Sequence, residues 1–126
     1  AIYGMTGGQM APTTLEGQIT VTSPKGRDHN GMGYAIRMSE IISTLEGVVY
    51  VARVAVNTPV RIIEAKKAIK KAFEKQIAGE GFAMVEVLST CPTNWKMSAV
   101  DAGKWVDSSM IPYFPLGVFK DTEGGE

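Results

Sequence analysis

A chain of 126 residues, 44% of them hydrophobic and 21% charged, has the length of one domain and the balance of an ordinary globular protein, which excludes the disordered and fibrous classes. Thirteen basic residues offset thirteen acidic ones, so no net field attracts nucleic acid or anionic lipid. No apolar run approaches the roughly 20 residues that span a bilayer, and no stretch has the layout of a signal peptide, so a cytoplasmic protein without a membrane partner is expected. The single cysteine, Cys91, rules out an internal disulfide and any metal site built from this chain's thiolates alone.

The chain opens on a β-prone pair, Ile2-Tyr3, that runs into Gly4-Met5-Thr6-Gly7-Gly8-Gln9, the pattern of a strand ending in a loop. Residues 11–33 are rich in Pro, Thr, Ser, Gly and Asn, which predicts a long loop of functional or mobile character. Apolar residues at helical spacing over 34–42 predict a short helix closed by Gly47. Residues 48–54 are apolar almost throughout and β-branched, as in a strand covered on both faces in the middle of a sheet. Thr58-Pro59 supplies an N-cap and an N1 proline, and Ile62, Ala65, Ile69, Ala72, Phe73 and Ile77 trace one helical stripe until Gly79 and Gly81. A second buried-type strand follows over 82–88 and ends at Ser89-Thr90-Cys91-Pro92. Strand, helix and strand make a crossover, so these two strands are expected to be parallel. Ser98 with Asp101 has the spacing of a capping box and opens a helix reaching about Met110, after which the tail carries Pro112, Pro115 and Gly117-Val118-Phe119 and is expected to fray over 121–126. The fold class is therefore α/β, a mostly parallel sheet with flanking helices. Ligands in such sheets bind at the carboxyl ends of the strands, and Ala1 to Met5 is expected to form a parallel strand beside one of the other two, with the glycine loop at that edge.

Glycines let the backbone N–H groups of Gly4-Met5-Thr6-Gly7-Gly8-Gln9 approach a ligand, with Thr6 and Gln9 adding side-chain hydrogen bonds. Cys91, at a strand end before Pro92, reads either as a small buried hydrophobe or as a ligand whose co-ligands lie elsewhere. His29 beside Asp28 reads as a solvated loop residue without a role. Lys66, Lys67, Lys70, Lys71 and Lys75, interleaved with Glu64 and Glu74, read as a solvated helix face, and Trp95 and Trp105 as packing residues. On the residues alone, a stand-alone α/β anion-binding module without catalysis is the competing reading.

Three segments carry a family resemblance. Ile2-Tyr3-Gly4-Met5-Thr6-Gly7-Gly8-Gln9 with Pro12-Thr13-Thr14, then the run from Gly81 through Ser89-Thr90-Cys91-Pro92-Thr93-Asn94-Trp95, then Ile111-Pro112 with Pro115-Leu116-Gly117-Val118-Phe119, resemble in order the thiamine-diphosphate-binding beta subunit of 2-oxoacid:ferredoxin oxidoreductases, particularly those acting on 2-oxoisovalerate or 2-oxoglutarate. The resemblance implies the C-terminal part of the cofactor-binding domain: residues 1–33 as the cofactor-loop region, 34–92 as a helix-strand-helix-strand core, and 93–126 as the C-terminal helix and tail. It places Gly4 and Met5 at the diphosphate end of the cofactor, with Thr6 and Gln9 as further contributors. It makes the Ile2 carbonyl a Mg²⁺ ligand and Cys91 the fourth thiolate of a [4Fe–4S] cluster. No residue here is implied to be catalytic, because the cofactor does the chemistry: a 2-oxoacid is decarboxylated, the acyl group passes to coenzyme A, and electrons pass to ferredoxin. The other subunits of the oxidoreductase are the remaining partners. A branched-chain substrate is favoured, since Gly7 and its neighbours offer no cation for a distal carboxylate. The chain lacks the family's Gly-Asp-Gly, which supplies a carboxylate to Mg²⁺, so the isolated chain is expected to be an inactive fragment without bound cofactor. Cys91 argues against other thiamine-diphosphate-dependent decarboxylases, which hold no cluster.

Overall fold

The structure, a computed structural model, describes residues 1–122. Ile2–Tyr3 (β1) does not join a parallel sheet. It turns back through a 3₁₀ turn at Gly4–Thr6 and pairs antiparallel with Gln9–Met10 (β2) in a separate two-stranded ribbon. The reversal depends on Gly7 at φ 119° and Gly8 at φ 80°, a consecutive pair of left-handed residues that side chains other than glycine rarely adopt. The expected strand is too short and turns too early to reach the central sheet.

The polar segment 11–33 is built around one buried side chain. The guanidinium of Arg27 donates from Nε to the Gly33 carbonyl at 2.9 Å, from one amino group to Thr14 at 2.7 Å and Pro12 at 2.9 Å, and from the other to Tyr34 at 2.8 Å. The one helical turn in this segment, His29–Met32 (α1), is capped by Asp28, whose carboxylate accepts the Asn30 N–H at 3.1 Å. The helix expected over 34–42 forms only at Met38–Ser43 (α2). The carbonyls of Gly33 and Tyr34 are held by Arg27 and the Ile36 N–H donates to Pro12 at 2.9 Å, so this stretch is committed to the loop and cannot wind.

Val48–Ala55 (β3) is the centre of the main sheet, with every residue but Val54 buried. Thr58 caps the helix Pro59–Ile77 (α3) by accepting the Arg61 N–H at 3.3 Å, and Gly79, at φ 71°, ends it in a Schellman turn with Glu80 N–H on the Lys75 carbonyl at 3.1 Å. The chain returns as Phe82–Leu88 (β4), parallel to β3 as the crossover requires. Ala65 and Ala68 are buried, and Ala68 packs with Tyr50 and Ala52 of β3. Ile62, Ile69, Phe73 and Ile77 of the same stripe are exposed, because one face of a three-stranded sheet is too narrow to cover them. β4 is likewise not fully covered: it is the sheet's edge, and Phe82 and Val87 face solvent. Lys75 does not belong to a solvated row. It is buried, with Nζ donating to Glu80 at 2.6 Å and to the Thr122 carbonyl at 2.8 Å.

After β4 come a single turn, Pro92–Trp95 (α4), and Ala99–Trp105 (α5), whose cap Ser98 accepts the Asp101 N–H at 3.1 Å. The helix expected to run to Met110 instead widens to π winding over Val106–Met110 before the last turn, Ile111–Tyr113 (α6). Pro112 has no N–H to give the Ser108 carbonyl and its ring would press on it, which opens the preceding turn. Val106, Met110 and Phe114 pack with Ala55 and Leu88 on the face opposite α3. The tail adds a strand that its sequence did not signal: Gly117–Asp121 (β5), which takes in the first residue of the expected fraying, pairs antiparallel with β3 and gives the order β4-β3-β5. Residues 123–126 of the expected fraying tail lie outside the described residues.

One position where helix and strand meet is testable directly. Gly81 sits at φ 149°, and a Cβ there would lie 2.7 Å from the Gly47 carbonyl oxygen, which already accepts the Phe82 N–H at 2.8 Å. Gly81→Ala should destabilise the chain by about 2–3 kcal/mol through strained backbone and a displaced strand start. A urea midpoint unchanged from the parent would contradict this.

Candidate functional site

The glycine loop and the cysteine turn lie far apart in the sequence and meet at the carboxyl end of β4. Cys91 follows that strand, caps α4, and is a free, half-buried thiol. A Cβ on Gly4 would lie 3.5 Å from the Cys91 Sγ and 2.5 Å from the Asn94 Nδ2. A Cβ on Gly8 would lie 3.5 Å from the Asn94 Oδ1. The Asn94 amide therefore seats between two glycines of the loop, in space that any side chain would fill. From there it donates to the Cys91 Sγ at 3.2 Å.

The expected site residues fall into four groups. Gly4 and Cys91 are brought together. Thr6 and Gln9 are turned onto each other, the threonine hydroxyl donating to Gln9 Oε1 at 2.8 Å and the Gln9 amide donating to the Thr6 carbonyl at 2.7 Å, so they brace the loop. Met5 projects fully into solvent. Ile2, half-buried in β1, lines a cavity of about 320 Å³ together with Glu86, Cys91, Trp95, Met110 and Phe114. The Nε1 of Trp95 is buried without a hydrogen-bond partner, and its ring packs on Trp105 at 4.7 Å.

The thiol fits a cluster ligand: it is free, it stands on a turn fixed by Pro92, and it has an N–H donor beside it. The loop does not by itself make a Mg²⁺ site. Among the described residues, the group of His, Cys, Asp or Glu close enough to share an ion is Glu16, Asp28 and His29, none of which is in the loop. The carboxylate on the cavity wall, Glu86, is already bonded to Arg53 at 2.8 Å and Ser39 at 2.6 Å. What remains for a hard cation is backbone oxygen, too little for its coordination shell. Asn94 was not singled out from the sequence, although an Asn three residues after an N-cap is placed to reach back to it. Arg53 had one signal, a charge inside an apolar run, and Arg27 had none.

Comparison with known proteins places these features in a context. No family model matches the chain, and no solved structure matches it. The chain is 48% identical over 120 residues to the ketoisovalerate oxidoreductase subunit VorA of Methanothermobacter thermautotrophicus, covering 95% of this chain and 25% of that protein. It is 39% identical over 92 residues to the 2-oxoglutarate synthase subunit KorB of Methanocaldococcus jannaschii, covering 73% of this chain and 30% of that one. It is 33% identical over 94 residues to the pyruvate synthase subunit PorB of Pyrococcus furiosus, covering 75% and 26%. The chain thus spans between a quarter and a third of the length of these relatives. No helix among the described residues is long and apolar enough to cross a membrane. Matches of this extent to subunits of three differently named enzymes are what a shared module gives: the homologues of this chain are subunits of 2-oxoacid oxidoreductases.

Proposed function

We propose that the chain is the C-terminal part of a thiamine-diphosphate-binding subunit of a cytoplasmic 2-oxoacid:ferredoxin oxidoreductase, and that Cys91 is a thiolate ligand of its [4Fe–4S] cluster. The observation that carries this reading is the packing of Gly4 against Cys91 and Asn94, which brings the glycine loop and the free thiol side by side. Thiamine diphosphate, with Mg²⁺, supplies the carbanion chemistry that releases CO₂ from a 2-oxoacid, and the cluster carries single electrons away. The chain's own share is structural. Gly4 and Met5 face the diphosphate, Thr6 and Gln9 hold the loop that presents them, the Ile2 carbonyl contributes one oxygen to Mg²⁺, and the Cys91 turn fixes one corner of the cluster. The carboxylate and amide ligands, the other three cysteines and the coenzyme A site belong to the remainder of the enzyme. A surface for that remainder exists: Phe73, Ile77 and Phe82 are exposed next to the unpaired edge of β4. A branched-chain 2-oxoacid is the substrate that the identities favour, 48% with the ketoisovalerate subunit against 39% and 33% with the other two.

The test is Cys91→Ser in the complete enzyme. The swap is nearly isosteric and Cys91 lies outside both apolar clusters, so the fold and thiamine content should be retained while iron falls by one cluster's worth and ferredoxin reduction is lost. Full iron with full reduction would leave Cys91 a structural cysteine and defeat the reading.

A further inference from the structure

We propose that Asn94 is a positioning residue for the cluster, its side-chain amide donating to the Cys91 thiolate and raising the cluster's reduction potential; this rests on the reading of Cys91 as a ligand. The geometry is specific. Cys91 is the N-cap of α4 and Asn94 its third residue, the spacing at which a side chain reaches back over the first helical turn. Here it reaches the cap's own sulfur, with Nδ2 at 3.2 Å from Sγ. The amide's orientation has a chemical reason, since its oxygen turned to the sulfur would set two electron-rich atoms against each other, whereas N–H is attracted to a thiolate. Its place is fixed on three sides. Gly4 and Gly8 flank it, and the turn beneath is locked by Pro92 on one side and by Lys96 on the other, which holds φ 54° with its N–H on the Thr93 carbonyl at 3.3 Å.

A hydrogen bond to a ligating sulfur draws electron density from the cluster and favours its more negative, reduced form, so each such bond raises the potential. Asn94 is exposed apart from this seat, so replacing it leaves the core untouched. The same amide touches the glycine loop, and the potential of the cluster is thereby set by a residue that also packs against the cofactor's support.

The experiment compares Asn94→Ala, Asn94→Asp and Cys91→Ser with wild type in the complete enzyme, measuring iron content and an EPR-monitored redox titration of the cluster that Cys91→Ser removes. Asn94→Ala should keep its iron and shift the one-electron equilibrium threefold to tenfold toward the oxidised form, tenfold being about 59 mV for a one-electron couple. Asn94→Asp, which places a negative charge on the sulfur, should shift it further in the same direction. Wild-type potentials in both Asn94 variants, with iron lost in Cys91→Ser, would overturn the role of Asn94 alone. Full iron in Cys91→Ser would overturn the parent reading, and the role of Asn94 with it.

Discussion

Replacing Arg53 with Ala should destabilise this chain by about 3–5 kcal/mol, the usual cost of leaving buried charges without their partner. The guanidinium is wholly inaccessible to solvent. It donates to the Glu40 carboxylate at 2.5 and 3.1 Å, to Glu86 at 2.8 Å and to the Pro115 carbonyl at 3.1 Å, and it lies over the rings of Phe119 and Phe114 at 4.9 and 5.3 Å. One cation thus ties together β3, β4, α2 and the residue run entering β5. Without it, the Glu40 and Glu86 carboxylates lose the cation to which both are bonded. Arg53→Lys should recover only part of the loss, since a single ammonium cannot span four acceptors in a planar fork. The acid limb of stability follows from the same contact. The hydrogen bond from Arg53 holds the Glu40 carboxyl below its ordinary value, so its contribution is full above the ordinary carboxylate range and is lost as pH falls through the lowered value. Against a total stability of about 5–15 kcal/mol for a domain, Arg53→Ala should leave the chain marginally folded at best. A urea-denaturation loss under 1 kcal/mol would show that the network is not what binds the sheet to α2.

The second large effect is expected at Arg27. Its guanidinium is 5% exposed and is surrounded by carbonyls of the loop it sits in, with no carboxylate beside it among its hydrogen-bond partners. Hydrogen bonds to a charged group contribute about 1.5–3 kcal/mol each where they are well made. Four at 2.9 Å or shorter hold Pro12, Thr14, Gly33 and Tyr34 to one point. Arg27→Ala removes these donors together and takes the guanidinium from the buried Thr14 carbonyl, so segment 11–33 should open while β3, α3 and β4 persist. Native-state hydrogen exchange should then show protection lost at Thr14, Gly17 and Ile36, whose N–H groups bond within the loop and at its borders, with the sheet amides unchanged. Uniform loss across the sheet, or none in the loop, would contradict the local role.

These two arginines also mark where the sequence was legible and where it was not. β3, α3 and β4 follow from an apolar run, a Thr-Pro start and a Gly stop, because those signals are local. β1 was misplaced because an antiparallel return over Gly7 and Gly8 depends on backbone angles that the same glycines would also allow a loop to adopt. β5 was missed because Gly117 to Asp121 has no alternation of its own and is a strand only beside β3. Buried Arg27 and Lys75 read like any solvated cation, since what buries them is a set of carbonyls and carboxylates distant in sequence. At the site, the glycines and Cys91 were legible as residues, but their contact was not, because it is made by Asn94 across the fold.

In the complete enzyme, Cys91 is expected to bind iron beside the glycine loop. An anaerobic crystal structure of the complete enzyme measures this directly. The expected result is the Cys91 Sγ within bonding distance of an iron of a [4Fe–4S] cluster, the Asn94 amide still donating to that sulfur, and the thiamine diphosphate held over Gly4 and Met5 on the loop's other side. A structure with Cys91 free and the cluster completed by another residue would contradict it.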